Sequence, residues 1–374
     1  MRELVELARD RAESLVADTV RLVSVESPSP DPEASRASAE AVAALLRERL
    51  GADVATQEID GHVHVRATWG EPRVLLLCHH DTVWPAGTLA RFPVVDDGET
   101  LRGPGTVDMK AGIAVAVHAL AILREQGGDA ALDGVDLLIT ADEELGSPTS
   151  RAIIEASTAK AALVFEAAAH GGEVKTARKG VSIYRLEVVG RAAHAGVEPE
   201  QGVNAAVALA HAILATTSLG DAAAGTSVTP TVLQAGTTTN TVPASAWVSI
   251  DVRAWTEAEQ VRVDDAIRAL ESPLEGARLV VHGGINRPPL ERAMAVDLYT
   301  TTAAVAAELG FPPLQEAAVG GGSDGNFTAG AGIPTLDGLG PWGGGAHAEH
   351  EHAVRAALPQ RTALVAGLLR RLLG

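Results

Sequence analysis

Apolar and polar positions along the chain follow two rhythms. Leu4, Leu7, Leu15 and Leu22 recur among Arg2, Glu3, Glu6, Arg9, Asp10 and Arg11, which predicts an amphipathic helix over residues 1–25. Residues 35–50 predict a second helix, closed by Gly51, a residue suited to the left-handed turn that ends helices. Residues 53–59 and 62–68 alternate as half-exposed strands do, whereas 74–78, 135–141 and 161–165 are almost continuously apolar, as strands buried on both faces are. An apolar helix is predicted over 113–123. From about residue 180 the pattern changes to strands at 181–189, 228–234 and 244–252, with helices at 203–215 and 257–270. Strand, helix, strand, strand, helix, strand is the order of a small open-faced sandwich. A helix at 296–309, a glycine-rich loop at 320–324, a short strand at 333–336 and a helix at 358–373 complete the chain. The expected fold is therefore α/β, a mixed central sheet flanked by helices, interrupted by a ferredoxin-like α+β insert. Residues 1–179 and 287–374 form the larger domain and 180–286 the insert, each long enough for its own core.

Composition narrows the function classes. A chain of 374 residues is longer than one average domain, and 46% apolar with 21% charged residues belongs to an ordinary soluble globular protein. Residues 1–25 are too regularly charged for a signal peptide, and no later stretch approaches a membrane span, so no membrane partner is expected. Cys78 is the single cysteine, which rules out an intrachain disulfide and fits a reducing cytoplasm; it reads as a buried structural thiol. A formal charge of -18 opposes nucleic-acid binding, which needs a basic face. Divalent metal held by several carboxylates would offset part of it.

Polar ligand-type residues sit where buried strands end. Asp142, Glu143 and Glu144 close the run 135–141, His79, His80 and Asp81 follow 74–78, and Glu166 follows 161–165. Acids at the end of a buried strand are costly unless a positive group waits for them, and three such coincidences point to a metal ion. The turn Gly103-Pro104-Gly105 runs into an apolar helix but lacks the P-loop spacing. Asp108, at the helix entrance, reads locally either as a metal ligand or as a helix N-cap. Composition alone does not choose between His79 and His80, nor among His347, His350 and His352.

Together, His79-His80-Asp81-Thr82-Val83, Gly103 to Gly112, Asp142 to Ser147 and Phe165-Glu166 resemble the di-zinc metallopeptidases of the glutamate carboxypeptidase and aminoacylase family. Arg191 to Gly196, Asn240 to Ala244, Asp251-Val252-Arg253 and Gly321 to Asp324 extend the likeness in order over nearly the whole chain. The resemblance implies that Asp108 bridges two Zn2+ ions, one completed by His79 and Glu166, the other by Glu144 and His347; Co2+ or Mn2+ are the other ions expected there. It also implies Asp81 as the acid that orients His79, and Glu143 as the proton carrier. His194 would stabilise the oxyanion, within its chain or across a homodimer formed by the insert. Asn240 and Arg253 would bind a substrate carboxylate, with Arg287 and the Gly321 and Gly322 backbone also at the substrate. The implied reaction is hydrolysis of an amide or peptide bond beside a free C-terminal α-carboxylate, with N-acyl-amino-acid deacylase or dipeptidase as the alternatives. Related ureido-amidohydrolases typically carry histidine where Glu166 stands. A catalytically silent metal-binding scaffold is the competing expectation from another class.

Overall fold

The computed structural model describes residues 1–374, and the chain falls into two compact units. The elements are, in order, α1 (Arg2–Asp10), α2 (Ala12–Val23), α3 (Pro32–Leu50), β1 (Ala55–Ile59), β2 (His62–Trp69), β3 (Val74–His79), β4 (Val95–Asp96) and β5 (Thr100–Arg102). Next come α4 (Ala111–Gly127), β6 (Val135–Thr140), α5 (Arg151–Glu155), β7 (Ala161–Val164) and β8 (Val174–Arg178). The middle of the chain forms β9 (Gly180–Val189), α6 (Ala205–Thr217), β10 (Ser227–Ala235), β11 (Ser245–Ala254), α7 (Glu257–Arg268) and β12 (Arg278–Arg287). The last part forms α8 (Val296–Leu309), β13 (Glu316–Val319), α9 (Gly325–Gly330), β14 (Thr335–Leu336), β15 (Gly343–Gly344), β16 (His352–Val354) and α10 (Ala357–Leu373).

The first unit comprises 1–177, 292–319 and 323–374. Its central sheet has the order β1-β2-β6-β3-β7-β14 and is mixed: β3, β6, β7 and β14 run parallel, while β2 joins β6 antiparallel and β1 joins β2 antiparallel. Every residue of β3, β6 and β7 is buried, which is why their sequences are almost continuously apolar; the exception inside a strand, Asp136 of β6, is paired with Arg66 and Thr68. The parallel register sets the C-terminal ends of β3 and β6 side by side, His79 opposite Thr140, and Phe165 N-H at the end of β7 bonds to Leu77 O of β3. Ligand-type residues after all three strands thereby meet at one edge of the sheet.

α4 packs against α10, α2 and α3, with every residue from Ala111 to Leu123 buried. Residues 106–127 are long and apolar enough to cross a bilayer, contrary to the expectation that no stretch approaches that character, but here they are enclosed by protein. The single helix expected over 1–25 is two, broken at Arg11, whose φ of -92° and ψ of 0° leave the helical region. No glycine or proline marks that break. Arg11 reaches Glu125 on α4 at 2.5 Å, and Asp18 on α2 joins Arg49 of α3 and His118 of α4 at 2.7–3.0 Å.

The second unit comprises 178–291 with 320–322. Its antiparallel sheet has the order β10-β11-β9-β12, with α6 and α7 supplying the crossovers, and is the ferredoxin-like arrangement expected. Tyr184, Leu186, Val188, Val248, Ile250 and Val252 alternate inward against Leu209 of α6 and Val263 and Ile267 of α7. Its entering and leaving segments lie together, because Arg178 and Leu290 exchange both backbone hydrogen bonds at 2.9 and 3.1 Å. On β10, an edge strand, Val232 and Leu233 are exposed, as are Val207 and Leu214 on α6.

Candidate metal centre

β3, the loop before α4, β6, β7 and the loop before β16 each contribute one part of an acidic cluster in the first unit. His79 ends β3 and is almost fully buried; its Nε2 lies 3.3 Å from Asp108 Oδ1 and 3.5 Å from Glu166 Oε1. His347 Nε2 lies 3.3 Å from Asp108 Oδ2 and 3.3 Å from Glu144 Oε2. Asp108 therefore stands between two triplets, His79–Asp108–Glu166 and Glu144–Asp108–His347, the two groupings that the resemblance implied. Glu143 is adjacent as well, since ligand atoms of His79, Glu143 and Glu166 fall within 4.8 Å of one another.

The donor set fits a pair of divalent ions. Two donors each about 2.0–2.2 Å from one tetrahedral zinc lie roughly 3.3–3.6 Å apart, close to the spacing found here and longer than a good hydrogen bond. Imidazole and carboxylate without thiolate suits Zn2+ and also Co2+ or Mn2+. Electrostatics tell the same story. Burial alone would raise the pKa of Asp108, but His347 and His79 hold it well below the carboxylate range. Burial alone would lower that of His79, but Asp108, Asp81 and Glu166 raise it well above the usual imidazole value. Asp108 and Glu144 push His347 up to about 10, against the effect of burial. Burial raises Glu144, opposed by His347. A cluster that draws protons onto two imidazoles this strongly is a cluster that favours a cation.

Local backbone explains how the side chains meet. Asp108 is not an N-cap: it lies in the irregular turn Thr106–Lys110, and α4 begins after Lys110 with no side-chain cap. Asp81 is buried beside His79, whose Nδ1 lies 3.1 Å from the Asp81 backbone carbonyl. Burial would raise its pKa, but His79 and Ser29 lower it. Its Oδ1 lies 3.4 Å from His79 Nδ1, and its two oxygens accept the N-H groups of Glu143 and Glu144 at 3.2 Å. One carboxylate thus stands beside the imidazole and accepts both N-H groups of the turn that carries the two glutamates. His80 points elsewhere, its Nε2 2.9 Å from Val63 O, and burial lowers its pKa to about 4. His350 and His352 contact each other through His352 Nδ1 and His350 O. Cys78 is buried and its thiol pKa is pushed up by that burial, consistent with a structural role.

Sequence reasoning left Asp142 without a task and placed no role on Glu351. Asp142 is fully buried and accepts from the N-H and hydroxyl groups of both Thr149 and Ser150 at 2.5–3.1 Å, so it closes the turn beyond β6. Glu351 is fully buried against the Asp108 loop. For Asp142, the signal was there in Thr149-Ser150, two hydroxyl residues seven and eight positions on; for Glu351, its place four residues after His347 matches the family resemblance but gives it no task.

The remaining predicted residues lie in the second unit. His194 is exposed, and its Nδ1 accepts from Gly196 N-H at 3.2 Å. It pairs with Thr241, and Ala195 N-H bonds to Asn240 O, so the His194 and Asn240 segments run together. Arg253 holds Asp251 on its own strand at 2.8–3.2 Å, the ion pair that competes with a substrate-binding role. Arg287 is buried, its carbonyl accepting from Gln260. The carbonyls of Gly321 and Gly322 accept from Arg178 Nη1 at 3.0 and 3.3 Å.

Such an edge, with paired carboxylate and imidazole donors, is a candidate site for divalent metal. The profile of peptidase family M20/M25/M40 matches residues 75–371, and the chain belongs to that family. It is 31% identical to carboxypeptidase G2 of Pseudomonas sp. (strain RS-16), over 98% of this chain and 91% of that one. A succinyl-diaminopimelate desuccinylase of Alkalilimnicola ehrlichii is 31% identical over 80% of this chain and 84% of its own. Among solved structures, aminopeptidase PepT of Bacillus cereus superposes with a TM-score of 0.76 at 24% identity, covering 96% of this chain and 98% of that chain. The protein is accordingly a hydrolytic enzyme of the metallopeptidase type.

Proposed function

We propose that the protein is a two-zinc carboxypeptidase of the glutamate type, cleaving an amide or peptide bond beside a free C-terminal α-carboxylate. The observation that carries this reading is the sharing of Asp108 between two donor triplets with Glu143 alongside. His79, Asp108 and Glu166 would hold one ion, and Asp108, Glu144 and His347 the other. Bound there, the ions would supply Lewis-acid polarisation of the scissile carbonyl and lower the pKa of the attacking water. Glu143 takes a proton from that water on its carboxylate and returns it to the nitrogen of the leaving amine. Asp81 keeps the His79 imidazole and the Glu143 backbone in place while this happens. His194 donates to the developing oxyanion. Asn240 and Arg253 bind the substrate α-carboxylate; Arg253 Nε and Nη2 already hold Asp251, which leaves Nη1 as its donor. Arg287 reads the substrate side chain, and Gly321 and Gly322 let backbone approach it.

The exposed apolar side chains of β10 and α6 support a homodimer formed through the second unit. The lone thiol of Cys78 supports a cytoplasmic setting. N-acyl-amino-acid deacylation is the second reading, favoured by the likeness to a desuccinylase over most of both chains. A panel of acyl-glutamates, other N-acyl amino acids and dipeptides, run on chelator-stripped and zinc-restored protein, separates the readings. Zinc-dependent release of C-terminal glutamate is the expected result. Preference for other acyl amino acids would favour the deacylase, and no hydrolysis of any substrate would return the chain to a metal-binding scaffold.

A further inference from the structure

Glu351 lies four residues after His347 and is inaccessible to solvent. Its Oε2 accepts from Trp84 Nε1 at 2.8 Å and Gly105 N-H at 3.0 Å, and its Oε1 from Val107 N-H at 2.9 Å and Asp108 N-H at 3.2 Å. A carboxylate has about four lone-pair sites, and all four are taken. Two further links bind the same segments: Gly103 N-H reaches Glu351 O at 3.4 Å, and the next residue, His352, begins β16 opposite Arg102 of β5. Glu351 N-H closes on Ala348 O, and Ala348 N-H on Gly345 O, so the turn that carries His347 ends on this carboxylate.

We infer that Glu351 is a positioning residue that sets the distance between Asp108 and His347, and so builds the second of the two metal triplets; the inference rests on the metal-centre reading above. His347 itself has little else to hold it. Its side chain is 53% exposed, its backbone adopts a φ of +64°, and its imidazole contacts Asp108 and Glu144. His79, by contrast, is fixed by burial at the end of a central strand and by Asp81. Loss of the Glu351 contacts therefore falls more heavily on the Glu144–Asp108–His347 triplet than on His79–Asp108–Glu166.

Glu351→Gln tests this without changing size. A glutamine oxygen still accepts two of the four donors, but its NH2 group faces the other two. The full-length protein, stripped of metal, is titrated with zinc against a competing chelator, and the same titration is run on His347→Ala. Wild type is expected to take two ions per chain. E351Q is expected to keep one and to weaken the second by at least about tenfold, the scale on which such supporting contacts act. H347A is expected to show the same stoichiometry, with the double variant no worse than either single one, because both changes remove one arrangement. Trp84→Phe deletes a single donor and serves if E351Q does not fold; the second ion should weaken by about threefold, a part of the E351Q effect. Two ions bound by E351Q as tightly as by wild type, with only the melting temperature lowered, would make Glu351 a merely structural staple and overturn the inference. A wild type that binds no zinc would overturn the metal-centre reading first and the inference with it.

Discussion

Glu143 and Glu144 are sequence neighbours whose backbones hang on the same Asp81 carboxylate, yet the proposed function gives their side chains different work. Glu144 reaches His347 and also groups with His79 and Asp108, while Glu143 groups with His79 and Glu166. Glu143→Gln should lower kcat by on the order of 10²- to 10⁴-fold, the usual contribution of a proton carrier. Metal analysis of the same variant should still find two ions; loss of one would place Glu143 among the ligands. The candidate segments 79–81, 142–144 and 166 were legible because a buried apolar strand leaves its last residues at one edge of the sheet, whereas the choice of His79 and Glu144 within them rested on the family resemblance. The partner of Arg253 was less so. Asp251 lies two residues back on the same strand face, but its two-point grip on Arg253 is a matter of side-chain rotamers.

Among the elements, α4 is the one the first unit is built around, and its tolerances are correspondingly small. A methyl group at Gly112 would sit 2.1 Å from Phe165 O, immediately before Glu166. Gly112→Ala should cost about 1–3 kcal/mol in chemical denaturation and weaken zinc binding, because relief requires β7 to withdraw. Asp18 ties α2 to α3 and α4. Its burial would raise its pKa, but the hydrogen bonds from His118 and Arg49 lower it overall. A carboxyl with a folded-state pKa below its unfolded value of about 3.9 stabilises fully above that value and loses the contribution as pH falls through the folded pKa. Asp18→Asn should therefore lower stability at neutral pH and leave a shallower loss on acidification, read from denaturation midpoints between about pH 3 and 7. Element types were largely evident from periodicity. The break between α1 and α2 was not, because Arg11 leaves the helix without any residue that forces it to. Nor was the small sheet β15-β16-β5-β4, whose strands of two or three residues are too short for any period to register.

At the scale of the molecule, the main segment of the second unit, 178–291, enters and leaves through one paired position, Arg178 with Leu290. Replacing residues 180–288 by a short glycine linker should leave a first unit that folds and binds two ions but does not hydrolyse substrate. Retained hydrolysis would remove His194, Asn240 and Arg253 from the reaction. The order in which the parts are made adds one more consequence. His79, Asp108, Glu144 and Glu166 all precede the insert, while His347 and the α10 helix that packs on α4 follow it. At roughly 5–20 residues per second, a ribosome completes the entire insert before it supplies the last ligand. A nascent chain arrested before residue 347 has one donor triplet whole and the other a residue short, so the second triplet stays unfinished until the ribosome has passed the insert and the strands that follow it.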